Sequence, residues 1–296
     1  MSQYSSIMSP RLVSEAGLSL HLRTNLFLGT RIIGEKILNF LVQEGGPFAP
    51  EFFDGGGRPE GRWLRFDAKD LSLPLEYWEK DRYSLVIIAK RNVPLKVFFH
   101  VSPRDFQMFD HVSLYFCFDN KGRMDSARAR IFLAEVGIEL LLDFAKKLHS
   151  IVEASWGSIR NDFEENEIGE ILDEYGKVLS YNAPTGKARM ALRGVFWANF
   201  FGPEYVEMFG RDNLLKAPCY RVEELSDGGM LLLLSETPFD ASTENYKSRK
   251  KKLYSYLGED AFNGKLLPQF RTGPGRKLRD ARPLIEAGGV RDDVFH

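Results

Sequence analysis

Two histidines and an aspartate lie close together in the sequence, at positions where they could share a metal ion or a proton. His100 ends one predicted strand, His111 begins the next, and Asp110 precedes His111. Imidazole and carboxylate groups are frequent zinc ligands and frequent general acids and bases. If the two strands are neighbours, the three residues converge at an edge of the sheet. The structural alternative is that they are strand-end polar residues hydrogen-bonded to loop backbone.

The familiar catalytic signatures are absent from the sequence. It contains no G-x-S-x-G elbow, no Walker A loop, no H-E-x-x-H and no C-x-x-C. The triple glycine Gly55–Gly57 precedes Arg58 and Pro59 instead of a helix, so it does not predict a phosphate cradle. Cys219 has no histidine near it in sequence and is interpreted as a packing thiol. We therefore predict no catalytic residue, no cofactor and no metal, and a protein that is not an enzyme.

Seven carboxylates occupy thirteen positions in the middle of the chain. Such crowded like charges repel, so a fold tolerates them where they are solvated or face opposite charge. They predict either a solvated linker or an anionic surface for a basic partner, such as the nucleic-acid channel of a nuclease. We assign this acidic run to partner binding. Its members are Asp162, Glu164, Glu165, Glu167, Glu170, Asp173 and Glu174.

A basic stretch, Lys247–Leu253, is the counterpart of the acidic run. Five of its seven residues are lysine or arginine, which could contact phosphates. However, 40 basic and 41 acidic residues nearly cancel over the whole chain. No global positive field therefore exists to hold nucleic acid or an anionic membrane. We predict an exposed helix face that pairs with the acidic run, and no direct binding of nucleic acid.

The first half of the chain carries both strand and helix signals. Alternating apolar and polar residues predict a strand over Leu18–Phe27, and Thr30 then caps a helix. An apolar stripe at helical spacing predicts a helix from about Asp125 to Val152, roughly 40 Å long. Apolar, β-branched and aromatic runs predict further strands at Arg62–Phe66, Tyr83–Ala89, Leu95–Val101 and His111–Asp119.

The C-terminal third carries the same kinds of signal. A strand is predicted over Leu192–Phe200, and Pro203 then opens a short helix that ends at Gly210. Ser226–Gly229 marks a hairpin turn, and the basic stretch belongs to a helix over Thr243–Leu257. The last thirty or so residues are rich in Gly, Pro and Arg, which predicts an irregular tail.

Consecutive groups of strands separated by helices favour antiparallel sheets over a doubly wound parallel sheet. We predict an α+β protein with mainly antiparallel sheets and helices packed on one face. Two modules are expected, an N-terminal one over 1–155 and a C-terminal one over 191–296, with the acidic linker 156–190 between them. A length of 296 residues suits about two domains.

Composition and targeting signals predict a cytoplasmic location. The two cysteines suit a reducing compartment. Met1–Arg11 is polar and rich in serine, unlike a signal peptide. No apolar run approaches the ~20 residues needed to span a bilayer, so we expect no membrane association.

One part of the sequence resembles a known family. Phe196–Pro218 contains an aromatic-rich W-x-N-x-F-G motif followed by a short helix, and Tyr220–Ser235 is a hairpin with Asp-Gly-Gly at its turn. These segments resemble bacterial immunity proteins, which neutralise toxins of type VI secretion systems (T6SS) and polymorphic toxin systems. The likeness is strongest to the immunity family paired with nuclease toxins of the restriction-endonuclease-like type.

The resemblance implies a protein that binds a cognate toxin, a nuclease effector, and neutralises it by steric and electrostatic blocking. Affinity would come from a few desolvated aromatic or arginine anchors, with carboxylates speeding association. No inhibitory contact residue is carried over from the family. Two other functions remain open. One is a metal-dependent hydrolase using His100, Asp110 and His111, and the other is a non-catalytic adaptor in a secretion or defence assembly.

Overall fold

The structure is a computed structural model that describes the chain between residues 18 and 262, with gaps. The described residues are 18–24, 26, 28–54, 64–80, 85–91, 93–100, 110–116, 133–134, 136–161, 164, 171–172, 178–179, 192, 194–258 and 261–262. The predicted C-terminal tail and most of the acidic run lie outside them.

An antiparallel sheet is the centre of the fold. Its strands are β1 (Leu18–Thr24), β2 (Phe52–Asp54), β3 (Leu64–Arg65), β4 (Leu85–Arg91), β5 (Val93–His100), β6 (Asp110–Phe116), β7 (Ala154–Asn161), β10 (Ala198–Phe201), β11 (Arg221–Glu224) and β12 (Met230–Leu233). The order across this ten-stranded sheet is β11-β12-β10-β7-β1-β6-β5-β4-β2-β3. Two further strands, β8 (Ile171–Leu172) and β9 (Val178–Leu179), form a separate two-stranded sheet.

Helices connect the groups of strands. They are α1 (Arg31–Gln43), α2 (Ser72–Lys80), α3 (Ile138–Ile151), α4 (Pro203–Phe209), α5 (Arg211–Leu215) and α6 (Glu244–Leu257). The predicted α+β class with mainly antiparallel pairing is confirmed. Within the described part of the chain, no helix is long and apolar enough to span a membrane.

Capping residues define the ends of two helices that the sequence predicted, α1 and α6. The Thr30 hydroxyl accepts a hydrogen bond from the Ile33 N–H at the start of α1, at 3.3 Å. Thr243 does the same for the Tyr246 N–H at the start of α6, at 3.2 Å. Gly258 follows α6 with φ of 88°, a conformation that suits glycine. Both predicted helices are therefore confirmed.

The predicted helix from Asp125 to Val152 is wrong as one continuous element. Gly137 has φ of 88° and leaves the helical conformation, so α3 begins at Ile138. With 14 residues, α3 is about 21 Å long instead of roughly 40 Å. Residues 125–132 lie outside the described part of the chain.

Strand β7 crosses the predicted boundary between the N-terminal module, which ends at residue 155, and the linker that follows. It pairs with β1 on one side, where Leu20 lies opposite Ile159, and with β10 on the other, where Phe200 lies opposite Gly157. Strands from both predicted modules therefore belong to the same sheet. The side chains of β7 from Ala154 to Arg160 are buried.

Helices contact strand β10 from both sides of the sheet. In a strand, neighbouring side chains point to opposite faces. Phe200 stacks with His149 of α3 at a centroid distance of 5.7 Å, and Phe201 stacks with Tyr205 of α4 at 6.0 Å. Because Phe200 and Phe201 are adjacent in β10, α3 and α4 contact opposite faces of this strand. The expectation that the helices pack on one face is therefore wrong at β10, since both faces of this strand carry buried apolar side chains.

Candidate functional site

The structure places one member of the acidic run in the interior of the protein. Glu164 is 1% exposed. The prediction that Glu164 is a solvent-facing contact for a partner is therefore wrong. Asp162, Glu165, Glu167, Glu170, Asp173 and Glu174 lie outside the described residues, and their assignment stays a prediction.

Among the described residues, two hydrogen-bond donors and one lysine surround the buried carboxylate of Glu164. The Tyr246 hydroxyl donates a hydrogen bond to Oε1, and the Trp197 backbone N–H donates to Oε2 at 3.4 Å. Lys250 Nζ lies 3.9 Å from Oε1. A buried charge is tolerated only when it is paired and hydrogen-bonded. Glu164 therefore joins the segment after β7 to the start of β10 and to α6.

A pocket of about 310 Å³ opens beside Glu164 along α6. Lys247, Lys250, Lys251 and Tyr254 line it at helical spacings of three, four and seven residues, which place side chains on one face of a helix. The lining of this α6 pocket is Glu164, Ala241, Tyr246, Lys247, Lys250, Lys251 and Tyr254.

The cations of α6 differ in how they are paired. Lys247 Nζ lies 2.9 Å from the exposed Glu244 of the same helix. Arg249 donates to the Leu234 carbonyl at 3.1 Å. Lys250 pairs with Glu164, so the predicted pairing of the basic helix with the acidic run is confirmed at this one position. The structure gives no ion pair to Lys251 or Lys252 among the residues it describes.

An exposed surface lies where α5, α6 and the start of β11 meet. Leu215, Tyr220 and Tyr256 are 42%, 45% and 37% exposed. The Arg249 guanidinium lies 5.6 Å from the ring centroid of Tyr220, and the Tyr256 hydroxyl donates to the Asn213 side-chain oxygen at 2.6 Å. We call Leu215, Tyr220 and Tyr256 the edge surface, because β11 is the outermost described strand on this side of the sheet.

Ion pairs tie the β11–β12 hairpin to α3. Arg221 Nη1 lies 2.7 Å from Glu139, and Lys146 Nζ lies 3.1 Å from Glu223. The hydrogen bond from Arg221 holds the pKa of Glu139 below its usual range. The hairpin that borders the edge surface is therefore anchored on one side.

The turn of this hairpin is held by a buried histidine. His149 Nδ1 lies 2.9 Å from Asp227 Oδ2, and the Gly229 N–H donates to Asp227 Oδ1 at 2.9 Å. Burial raises the pKa of Asp227, but the hydrogen bond and charge of His149 and the Gly229 N–H outweigh burial and hold that pKa below its usual range.

The W-x-N-x-F-G motif has a structural role. Trp197 Nε1 donates to the Ser235 carbonyl at 3.0 Å. The Asn199 side chain accepts from the Phe196 N–H at 2.9 Å and donates to the Phe196 carbonyl at 2.8 Å. A Cβ at Gly202 would lie 2.3 Å from the Ala154 carbonyl oxygen, so only glycine fits there. The motif locks β10 against β7 and β12.

The strand register pairs two of the three residues suggested for a metal site. His100 of β5 lies directly opposite His111 of β6, and Asp110 lies opposite Thr24 of β1. The expectation that they meet at a sheet edge is wrong, since β5 and β6 are interior strands. The described residues contain no group of three or more His, Cys, Asp or Glu that could hold a metal ion. The side chains of His100, Asp110 and His111 lie outside that search.

The environment of Cys219 does not favour a role as a nucleophile. Burial raises the pKa of the Cys219 thiol to about 12, against a smaller opposing effect of Arg249. A thiol with such a pKa stays protonated near neutral pH, and the thiolate is the nucleophilic form. The geometry is that of the packing thiol expected from the sequence.

Comparison with known proteins gives a structural likeness and no match by sequence. No protein-family model matches the chain, and no curated protein matches it. Among solved structures, the chain is similar to the T6SS protein PA0821 of Pseudomonas aeruginosa, with 13% sequence identity and a TM-score of 0.45. The similarity covers 80% of this chain and 76% of that one.

Proposed function

We propose that the chain is an immunity protein, which binds a cognate secreted toxin in the cytoplasm and neutralises it. The toxin is a nuclease effector, and inhibition is steric and electrostatic blocking without catalysis by this chain. The observation that carries the proposal is the edge surface. Leu215 and Tyr220 are exposed within or next to the segments that resemble immunity proteins.

The edge surface has the chemistry of a protein-binding anchor. Tyrosine and arginine are enriched among the residues that dominate binding energy at interfaces. Tyr220 is an exposed ring beside the Arg249 guanidinium, and the Asn213 side chain orients Tyr256. Side chains that are already oriented lose less conformational freedom on binding.

Anchoring of the hairpin supports the same surface. The ion pairs Arg221–Glu139 and Lys146–Glu223, together with the bond between His149 and Asp227, hold the hairpin against α3 before any partner arrives. A preorganised interface binds more tightly than one that must become ordered. The six carboxylates of the acidic run other than Glu164 remain proposed contacts that steer a basic toxin.

The test has two steps. First, the tagged full-length protein is used to capture partners from native cells, and mass spectrometry identifies a near-stoichiometric one. Second, the captured protein is expressed with and without this chain, and cell growth and nuclease activity are measured. An immunity protein restores growth and abolishes nuclease activity at about one molecule per toxin.

The contribution of the edge surface to toxin binding is then measured with single-residue variants. Tyr220→Ala should raise the Kd for the toxin by about tenfold or more, as expected for an interface anchor. Ile32→Ala is the matched control, because Ile32 is an exposed apolar residue on α1. A captured partner that is not toxic would contradict the immunity function and favour the adaptor. Equal Kd values for the two variants would remove the edge surface from the proposal.

The pairing of His100 with His111 favours the metal-dependent hydrolase as the second candidate. The register places two imidazole-bearing residues directly opposite each other, and imidazole is a frequent zinc ligand. Elemental analysis of the purified protein separates the candidates. Stoichiometric metal that disappears in His100→Ala and His111→Ala would support the hydrolase, and metal-free protein that still inhibits a toxin would contradict it.

A further inference from the structure

We propose that the α6 pocket binds an acidic segment of a protein partner, whose carboxylate enters between Lys247 and Lys251. The site is separate from the edge surface, and Glu164 is the one member of the acidic run among the described residues that line it. In the proposed function the partner is the toxin, but the inference concerns the pocket itself and its test needs no toxin.

The pocket already holds one carboxylate of this chain. Glu164 receives the Tyr246 hydroxyl as a hydrogen-bond donor and lies 3.9 Å from Lys250. The hydroxyl and ammonium groups of one face of α6 are therefore arranged as carboxylate-binding groups. The Glu164 carboxylate therefore shows how the carboxylate of a bound partner could contact this face of α6.

Positive charge remains after Glu164 is accounted for. The described residues that line the pocket include three lysines and one glutamate, an excess of two positive charges among them. Lysines three and four positions apart on a helix repel one another. The pairing of Lys247 with Glu244 is exposed and therefore screened by solvent, and no partner of Lys251 is found among the described residues. A second carboxylate would relieve this repulsion.

The shape of the pocket favours a peptide over nucleic acid. A volume of about 310 Å³ lies at the small end of ligand pockets and suits a side chain with its neighbours. Single-stranded nucleic acid requires a long basic groove with free aromatic faces. One face of Tyr254 is already stacked on Phe262, at a centroid distance of 4.1 Å.

The experiment measures fluorescence anisotropy with the full-length protein and a fluorescein-labelled hexaglutamate peptide, at 50 and 300 mM NaCl. A dT12 oligonucleotide is the competing probe. Lys247→Gln and Lys251→Gln should each raise the Kd for the peptide by about threefold to fivefold. Lys252→Gln is the matched control, since it removes the same charge from the same helix outside the pocket lining.

Three outcomes would overturn the inference. One is an equal loss of affinity in Lys252→Gln, which would show attraction to the helix as a whole. Another is tighter binding of dT12 than of the peptide, which would assign the pocket to phosphates. The third is a peptide affinity that neither Lys247→Gln nor Lys251→Gln changes. Neutralisation of a toxin is measured separately, so failure of the immunity function does not decide the ligand of the pocket.

Discussion

The hydroxyl of Tyr246 donates a hydrogen bond to the carboxylate of Glu164, a residue 82 positions earlier in the chain. The bond joins the acidic run to the basic helix α6 inside the protein. One acidic residue is therefore part of the scaffold that supports the α6 pocket. Substitutions in the acidic run should consequently divide into those that change stability and those that change only surface charge.

Glu164→Gln should lower the free energy of unfolding by about 1–3 kcal/mol. Tyr246 and the Trp197 N–H donate to different oxygens of Glu164, whereas an amide has only one oxygen. The change also leaves Lys250 without its carboxylate. Urea unfolding measures the loss. The exposed Glu236→Gln is the control, and equal midpoints for the two variants would contradict the role of Glu164.

Asn199→Ala should cost about 2–4 kcal/mol of unfolding free energy. The Asn199 side chain is buried and satisfies both the N–H and the carbonyl of Phe196. Alanine would leave these buried backbone groups without partners. Thermal and urea unfolding would reveal the loss, and Asn245→Ala on the exposed face of α6 should change stability by less than about 0.5 kcal/mol.

Adjacent substitutions in β7 should act in opposite directions. A Cβ at Gly157 would lie 2.5 Å from Leu22 Cδ2 and 3.0 Å from the His21 carbonyl oxygen, so Gly157→Ala should destabilise by about 1–3 kcal/mol. The Ser158 hydroxyl is buried and has no hydrogen-bond partner within the part of the chain that the structure describes. Ser158→Ala should leave stability unchanged or raise it by up to about 1 kcal/mol. Urea unfolding of both variants tests the pair, and a destabilised Ser158→Ala would point to a partner for the hydroxyl.

Acid should weaken the wild type more than an Asp227→Asn variant. The pKa of Asp227 is lowered in the folded protein, so its contribution to stability is complete above the unfolded pKa of about 3.9. That contribution is lost as pH falls through the lower folded pKa. The difference in unfolding free energy between wild type and Asp227→Asn should therefore shrink between pH 5 and pH 3. Asp212→Asn, in the exposed helix α5, controls for net charge, and a difference independent of pH would refute the prediction.

Local patterns in the sequence predicted the elements whose ends depend on neighbouring residues. Thr30 and Thr243 cap their helices because the hydroxyl and its N–H partner are three residues apart. The hairpin after β11 was visible from its glycines, and Gly228 indeed has φ of 85°. The break at Gly137 was missed because the apolar spacing continues on both sides of it. The spacing of apolar residues does not reveal a single residue with positive φ, such as Gly137, that ends a helix.

The candidate site depended on contacts that no local pattern contains. A glutamate within an acidic run predicts solvent exposure. Glu164 is buried because its partners come from β10 and α6, 33 and 82 residues away. In the edge surface, likewise, the ring of Tyr220 contacts Arg249 of α6, which is distant from it in the sequence. The lysine spacing of α6 was visible in the sequence, but the pocket beside it was not.

The position of β1 in the sheet has a consequence for how the protein acquires its fold during synthesis. β1 spans residues 18–24, yet its two neighbours are β6 at 110–116 and β7 at 154–161. Pairings between distant segments give a high contact order, which slows folding. An emerging chain therefore carries β1 with one edge unpaired until residues 154–161 have left the ribosome.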